Sequence, residues 1–168
     1  MANEPNPLDA QLGRRTASAL TREKAFLTIL AGALYADNKA RRAEMVELEA
    51  LLGRVKTLQT IPEQDRRKAR DEVIEYVKEE SIRKDRVALA CQALVAMKQT
   101  TERTNTNNPQ ADETLTESAF AHACDIICTD HEVHNKEREY LQLLERELQI
   151  APHRAELIFK TLALKNEF

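Results

Sequence analysis

The sequence predicts an all-α protein: a helical bundle of about seven helices, built from two similar helical halves. Three observations carry this. Apolar residues recur at i, i+3, i+4 and i+7 along most of the chain. Only three glycines occur while 32% of residues are charged, a balance that suits helices, since strands call for more Val, Thr and aromatics and for Gly-rich turns. The third observation is a short acidic turn that occurs twice, at Asp37 and at Asp130, each followed seven residues later by a glutamate, Glu44 and Glu137.

At 168 residues the chain is one domain, long enough to bury a core. Trp is absent and aromatics are few, so that core is built from Leu, Ile, Val, Ala and Met. Residues 1–19 form a tail that the two prolines and two asparagines among the first seven residues mark as partly disordered. The bundle spans 20–166, with halves of about 20–99 and 113–166.

The first helix runs from about Thr21 to Ala36. Thr21 caps it and Glu23 complements its dipole. Phe26, Leu27, Leu30, Ala31, Leu34 and Tyr35 share one face, and Ile29 and Ala33 widen it, so the helix belongs inside the bundle. Gly32 in its middle costs about 1 kcal/mol against Ala, which close helix packing explains. A second helix spans about Ala40 to Leu52 with Met45, Leu48, Leu51 and Leu52 as its stripe and Gly53 as its stop. Residues 54–61 connect to a third helix opened by Pro62, charged at first and packed through Val73, Ile74 and Val77. A fourth, Lys84 to Gln99, carries Val87, Ala90, Cys91, Leu94, Val95 and Met97. The first and fourth helices are the expected centre.

Residues 100–112 are polar and aperiodic, and read as a flexible linker. Thr114 then caps a helix through Cys128 with Leu115, Phe120, Ala123, Cys124 and Ile127 inward. Asn135 to Leu148 follows, striped by Tyr140, Leu141, Leu144 and Leu148. Pro152 opens an apolar last helix that docks to close the core.

Several function classes are excluded. The net charge of −3 does not support nucleic-acid binding, which needs a basic surface to displace counterions. Arg66, Arg67, Lys68 and Arg70 are interleaved with Asp65, Asp71 and Glu72 and read as a solvated face. No apolar run reaches the roughly 20 residues of a membrane helix; the longest is 25–36. The first residues lack the basic and apolar segments of a secretory signal, and three cysteines make no disulfide framework, so the expected compartment is the cytoplasm. There is no Gly-rich phosphate loop, Ser-based triad or His-Glu-x-x-His, and the protein is read as non-enzymatic.

An offset of 93 residues aligns the halves. It pairs Thr21 with Thr114, Asp37 with Asp130, Glu44 with Glu137, Leu48 with Leu141 and Leu51 with Leu144. The aspartates are the unexpected part, because each falls at a helix C-terminus, where the dipole disfavours negative charge. Three things can compensate: an Asx turn or a bond to the next helix's N–H groups, a salt bridge to Arg41, Arg42 or Lys136, or a cation, since carboxylates supply the hard oxygens that Ca²⁺ or Mg²⁺ prefers.

An apolar helix ending in Ala-Asp, a short turn, then a glutamate opening a Leu-rich helix, all duplicated, resembles the tellurite-resistance TerB family. The stretches are Leu30 to Asp37 with Glu44, and Ile126 to Asp130 with Glu137; the ending Leu144 to Pro152 is also similar. The resemblance covers about residues 20–165. It implies an all-helical bundle associated with bacterial tellurite resistance, stress response and phage defence. It implies partners that are other proteins, Ter-system components among them, some membrane-associated. It also implies a divalent metal at Asp37, Glu44, Asp130 and Glu137, with Ca²⁺ or Mg²⁺ ahead of Zn²⁺. The chain departs from the family at Asn38 and His131, where Gly commonly follows the aspartate.

Two other readings compete. Cys124, Cys128, His131 and His134, with His122 nearby, are good zinc ligand types and would make a zinc–thiol protein or metal-dependent hydrolase. Their spacing matches no standard zinc module, and the repeat aligns Cys124 and Cys128 with Ala31 and Tyr35 on the packing face, which suits small core residues. A structural adaptor without metal, recognising partners through an apolar groove, is the remaining alternative.

Overall fold

The structure, a computed structural model, describes residues 20–104, 110–130 and 132–166, and the side chains of these except 101–114 and 130. The expected N-terminal tail and the middle of the expected linker lie outside the described residues. Among the described residues the fold is all-α, with eight helices and no strand. They are α1 (Arg22–Leu34), α2 (Arg42–Arg54), α3 (Lys56–Gln59), α4 (Glu63–Val77), α5 (Glu80–Thr104), α6 (Gln110–Ile127), α7 (Asn135–Glu147) and α8 (Pro152–Asn166); a 3₁₀ turn, Cys128–Asp130, follows α6. No described helix is long and apolar enough to cross a membrane.

Helix α1 is the axis of the bundle. Every residue from Ala25 to Leu34 is buried. It packs against α4, α5 and α6 at once, which is why its apolar residues run right round it. Thr28, the polar residue of that stretch, satisfies its hydroxyl on the Lys24 carbonyl at 2.7 Å. Thr21 caps the helix by accepting from the Lys24 N–H at 3.2 Å. Around α1 the core is completed by Val87, Ala90, Cys91 and Leu94 of α5 and by Ala119, Phe120, Ala123, Cys124, Ile126 and Ile127 of α6.

Gly32 is the point of closest approach. A Cβ there would stand 2.3 Å from the Tyr140 hydroxyl and 2.7 Å from Val87 Cγ2. Tyr140 reaches across from α7 and donates to the Ile29 carbonyl at 2.6 Å. An extra carbonyl bond inside α1, and room for the ring that makes it, both require a glycine at this position.

The structure redraws several boundaries. α2 runs through Gly53 to Arg54; Gly53 has no positive φ and open space around it, so it continues the helix instead of stopping it. The connection 54–61 contains α3, which buries Leu58. α5 extends to Thr104, and α6 begins at Gln110, directly after Pro109, so Thr114 falls inside a helix instead of capping one. The threonines do not break α5: Thr100 returns its hydroxyl to the Ala96 carbonyl at 2.9 Å. Of the basic residues of α4, Arg67 pairs with Glu63 at 2.7 Å within the helix, while Arg70 engages Asp71 and Glu49 of α2 and Arg66 donates to the Leu52 carbonyl of α2 at 2.6 Å.

The last helix closes less of the core than its sequence suggests. α8 lies on α6 and the 3₁₀ turn, tied at its ends by Arg154 to Glu117 (2.9 Å) and Lys165 to Asp125 (2.8 Å). Only Ala155 is buried; Ile158, Phe159 and Leu162 are half-buried, and Leu157 and Leu164 are exposed.

Gly32→Ala is expected to lower stability by about 1–3 kcal/mol, read by urea denaturation. Tyr140→Phe costs about 1 kcal/mol by removing the hydrogen bond to the Ile29 carbonyl. Because one clash is with the hydroxyl that Tyr140→Phe removes, the double variant should lose less than the two single losses added together. Simple additivity would refute the close-approach account.

Candidate functional site

The first acidic turn begins where α1 ends. Tyr35 caps α1, and Asn38 takes a left-handed backbone (φ 66°), a region Asn tolerates better than most residues. Asp37 Oδ1 accepts the Lys39 N–H at 2.9 Å, an Asx turn, and Asp37 Oδ2 accepts from Arg41 Nη2 at 2.8 Å. The dipole conflict at Asp37 is thus met by two of the three expected compensations together. Of the expected salt-bridge candidates, Lys136 pairs instead with Glu80 at 2.9 Å.

Arg41 is the N-cap residue of α2, and Glu44 is its third helical residue. Glu44 Oε2 returns to the Arg41 backbone N–H at 2.8 Å, the glutamate half of a capping box. In the second half, His134 caps α7 and Glu137 Oε2 accepts the His134 N–H at 2.6 Å. The 93-residue offset therefore maps cap onto cap and glutamate onto glutamate. Both glutamate side chains are 1% exposed.

The two halves meet at these glutamates. Arg41 Nη1 lies 3.2 Å from Glu44 Oε1 and 3.4 Å from Glu137 Oε1. One guanidinium thus holds Asp37, Glu44 and Glu137. Burial raises the Glu44 pKa; the Arg41 backbone N–H and guanidinium oppose this, and the neighbouring Glu137 adds to it. Two carboxylates this deep would be costly alone. Each gains a cap N–H and the positive end of a helix dipole, and they share one cation.

Asp130, the fourth expected ligand, closes the 3₁₀ turn; its side chain lies outside the described residues, as does His131. The structure therefore brings together three of the four expected residues, around Arg41. Their oxygens are of the right chemistry for a hard cation, but a guanidinium stands among them. Among the described residues no group of three or more His, Cys, Asp or Glu is arranged to hold a metal. The described donors thus do not fit a divalent ion while Arg41 is in place.

Arg83, which the sequence reading did not single out, supports the first turn from behind. Its side chain is buried. It donates to the carbonyls of Val77 (2.6 Å), Lys78 (2.8 Å) and Tyr35, and to Asn38 Oδ1 at 2.7 Å. One arginine thereby serves the C-terminal ends of α1 and α4, where a cation is favoured. Nothing in the local sequence distinguishes it from the other basic residues, because it joins the nearby end of α4 to the end of α1, which is distant in the chain.

Among the described members of the cysteine–histidine set, no three are arranged to hold a metal. Cys124 and Cys128 are buried, and burial pushes the Cys124 thiol far above its usual range. That makes it a poor nucleophile or ligand. His134 is exposed at the start of α7. His122 packs against Phe26 with ring centroids 6.1 Å apart, and its Nδ1 is buried without a hydrogen-bond partner among the described residues. Burial lowers its pKa, the Asp125 carboxylate raises it, and Arg54 and Lys165 lower it further.

No family model, curated protein or solved structure matches this chain.

Arg83→Ala should cost about 3 kcal/mol, since it leaves three carbonyls and Asn38 without a charged donor; a chemical-denaturation midpoint unchanged from wild type would refute the capping role. A pH dependence follows from His122. Its folded pKa lies below the ordinary 6.5, so as pH falls below about 6.5 the unfolded chain takes up a proton that the folded chain does not. Stability then declines toward acid by at most about 1.4 kcal/mol per pH unit. His122→Gln should remove that slope in denaturation curves taken from pH 7 downward. Glu44, whose folded pKa is raised, acts in the opposite sense in both proteins and cancels in the comparison.

Proposed function

We propose that this protein is a non-enzymatic helical module of the tellurite-resistance TerB type, serving stress response by binding protein partners of a Ter system. The observation that carries this reading is the convergence of the duplicated acidic turns. Two capped glutamates from separate halves, Glu44 and Glu137, meet on Arg41, so the repeat legible in the chain is also a joint in the fold. Other features agree. The buried thiols Cys91 and Cys124 are held protonated by desolvation, which suits packing and not catalysis. Beside the joint runs a groove of about 280 Å³ whose lining includes Glu80, Lys84, Lys136, Glu139, Leu143 and Arg146. It mixes both signs of charge with apolar surface, the composition of a polar interface rim.

The other half of the expectation is a divalent cation at Asp37, Glu44, Asp130 and Glu137. It has oxygen donors of the right type in its favour and the Arg41 guanidinium against it.

Co-purification of the tagged protein with co-expressed Ter-type proteins tests the partner reading. A complex that survives washing is expected, and Lys136→Glu should weaken it about tenfold by placing like charge beside Glu80 and Glu139. No complex with any of them would overturn the proposal.

A further inference from the structure

We propose that Arg41 is the resident cation of the joint between the two halves, so that this protein holds its acidic turns together without a divalent ion. The inference concerns the joint alone and stands or falls separately from the partner reading. It starts from where the described carboxylate oxygens of the joint go. Asp37 Oδ1 accepts from the Lys39 N–H (2.9 Å) and Oδ2 from Arg41 Nη2 (2.8 Å). Glu44 Oε2 accepts from the Arg41 N–H (2.8 Å) and Oε1 from Arg41 Nη1 (3.2 Å). Glu137 Oε2 accepts from the His134 N–H (2.6 Å) and Oε1 lies toward the same Nη1 (3.4 Å). All three carboxylates are thus supplied by protein donors at both oxygens.

The division of labour among those donors is regular. One oxygen of each carboxylate is held by a local backbone N–H, which fixes the side chain in its turn or cap. The other faces Arg41. The three that remain therefore converge on one position, and a planar guanidinium fills it with fixed N–H directions. A Ca²⁺ ion would require six to eight oxygens at about 2.3–2.6 Å. The described set offers three inward oxygens, each already accepting from Arg41, so an ion could enter only with Arg41 gone and with waters completing its shell. Arg41 is also anchored by its own backbone, since its N–H and its side chain both engage Glu44. Its side chain is 27% exposed, so it closes the joint from the solvent side, over glutamates that are nearly inaccessible.

This assignment predicts an inverted metal response. For the wild-type protein, thermal unfolding midpoints in EDTA, in millimolar calcium and in millimolar magnesium should coincide, and calcium should leave the Asp37 and Asp130 amide resonances unmoved. Arg41→Ala vacates the position and leaves the carboxylates facing one another. Its midpoint should fall by about 10 °C, the scale expected for breaking a buried ion pair in a chain of this size, and calcium should restore at least half of the loss. Arg41→Lys keeps the charge but loses the fork, and should lie between the two with little calcium response. A wild-type midpoint that shifts with calcium or EDTA overturns the proposal, whether or not Arg41→Ala folds. So does an Arg41→Ala protein as stable as wild type, or one destabilised without recovery in calcium, which would make the guanidinium a hydrogen-bonding clamp and not the occupant of a cation position.

Discussion

Burying two glutamates at the meeting point of two helix hairpins is the constraint around which this structure is arranged. Glu44 and Glu137 sit at the third position of α2 and α7 and are almost inaccessible. Leaving such groups unpaired would cost several kcal/mol each. The fold meets that cost with backbone N–H groups at each cap, with the positive ends of two helices, and with Arg41. The geometry of the surrounding turns follows. Asp37 must face Arg41, so Asn38 adopts its left-handed backbone, and Arg83 then ties the Asn38 side chain and the Tyr35 carbonyl to the end of α4.

The second constraint is the complete burial of α1. A helix surrounded on all sides has no polar face for long side chains, so its contacts are fixed by small differences in volume. Gly32 lets Tyr140 come close enough to bond the Ile29 carbonyl. Tyr140 lies on α7, one turn beyond Glu137. The α7 helix is therefore held to the first half by a carboxylate at the joint and by a phenol in the core, with the Lys136–Glu80 pair outside them. By contrast α8 is held mainly by ion pairs at its ends and one half-buried face, which leaves Leu157 and Leu164 outside.

Much of this was legible in the chain. Helical periodicity located α1, α2, α4, α7 and α8 to within a few residues, because a face that must be buried leaves a repeating apolar pattern. Thr21 and Pro62 marked helix starts through local chemistry alone. The boundaries that moved were those resting on a weaker signal. Gly53 suggests a stop, yet glycine near a helix end only permits a turn and does not require one. The threonines after Gln99 suggest a linker, yet Thr100 returns its hydroxyl to the preceding turn and the helix continues.

What the sequence by itself determined is the set of local relations: which face of each helix is apolar, where the caps lie, and that Asp37 and Glu44 recur as Asp130 and Glu137. Those relations depend on residues three to seven apart, and backbone geometry enforces them in any context. Only the tertiary structure decided that Glu44 and Glu137 share one guanidinium, that Arg41 provides it, and that Arg83 serves two helix ends. Each of these depends on groups tens of residues apart. Their meeting is set by how α1 is enclosed, and spacing along the chain carries no record of which charge lies opposite which.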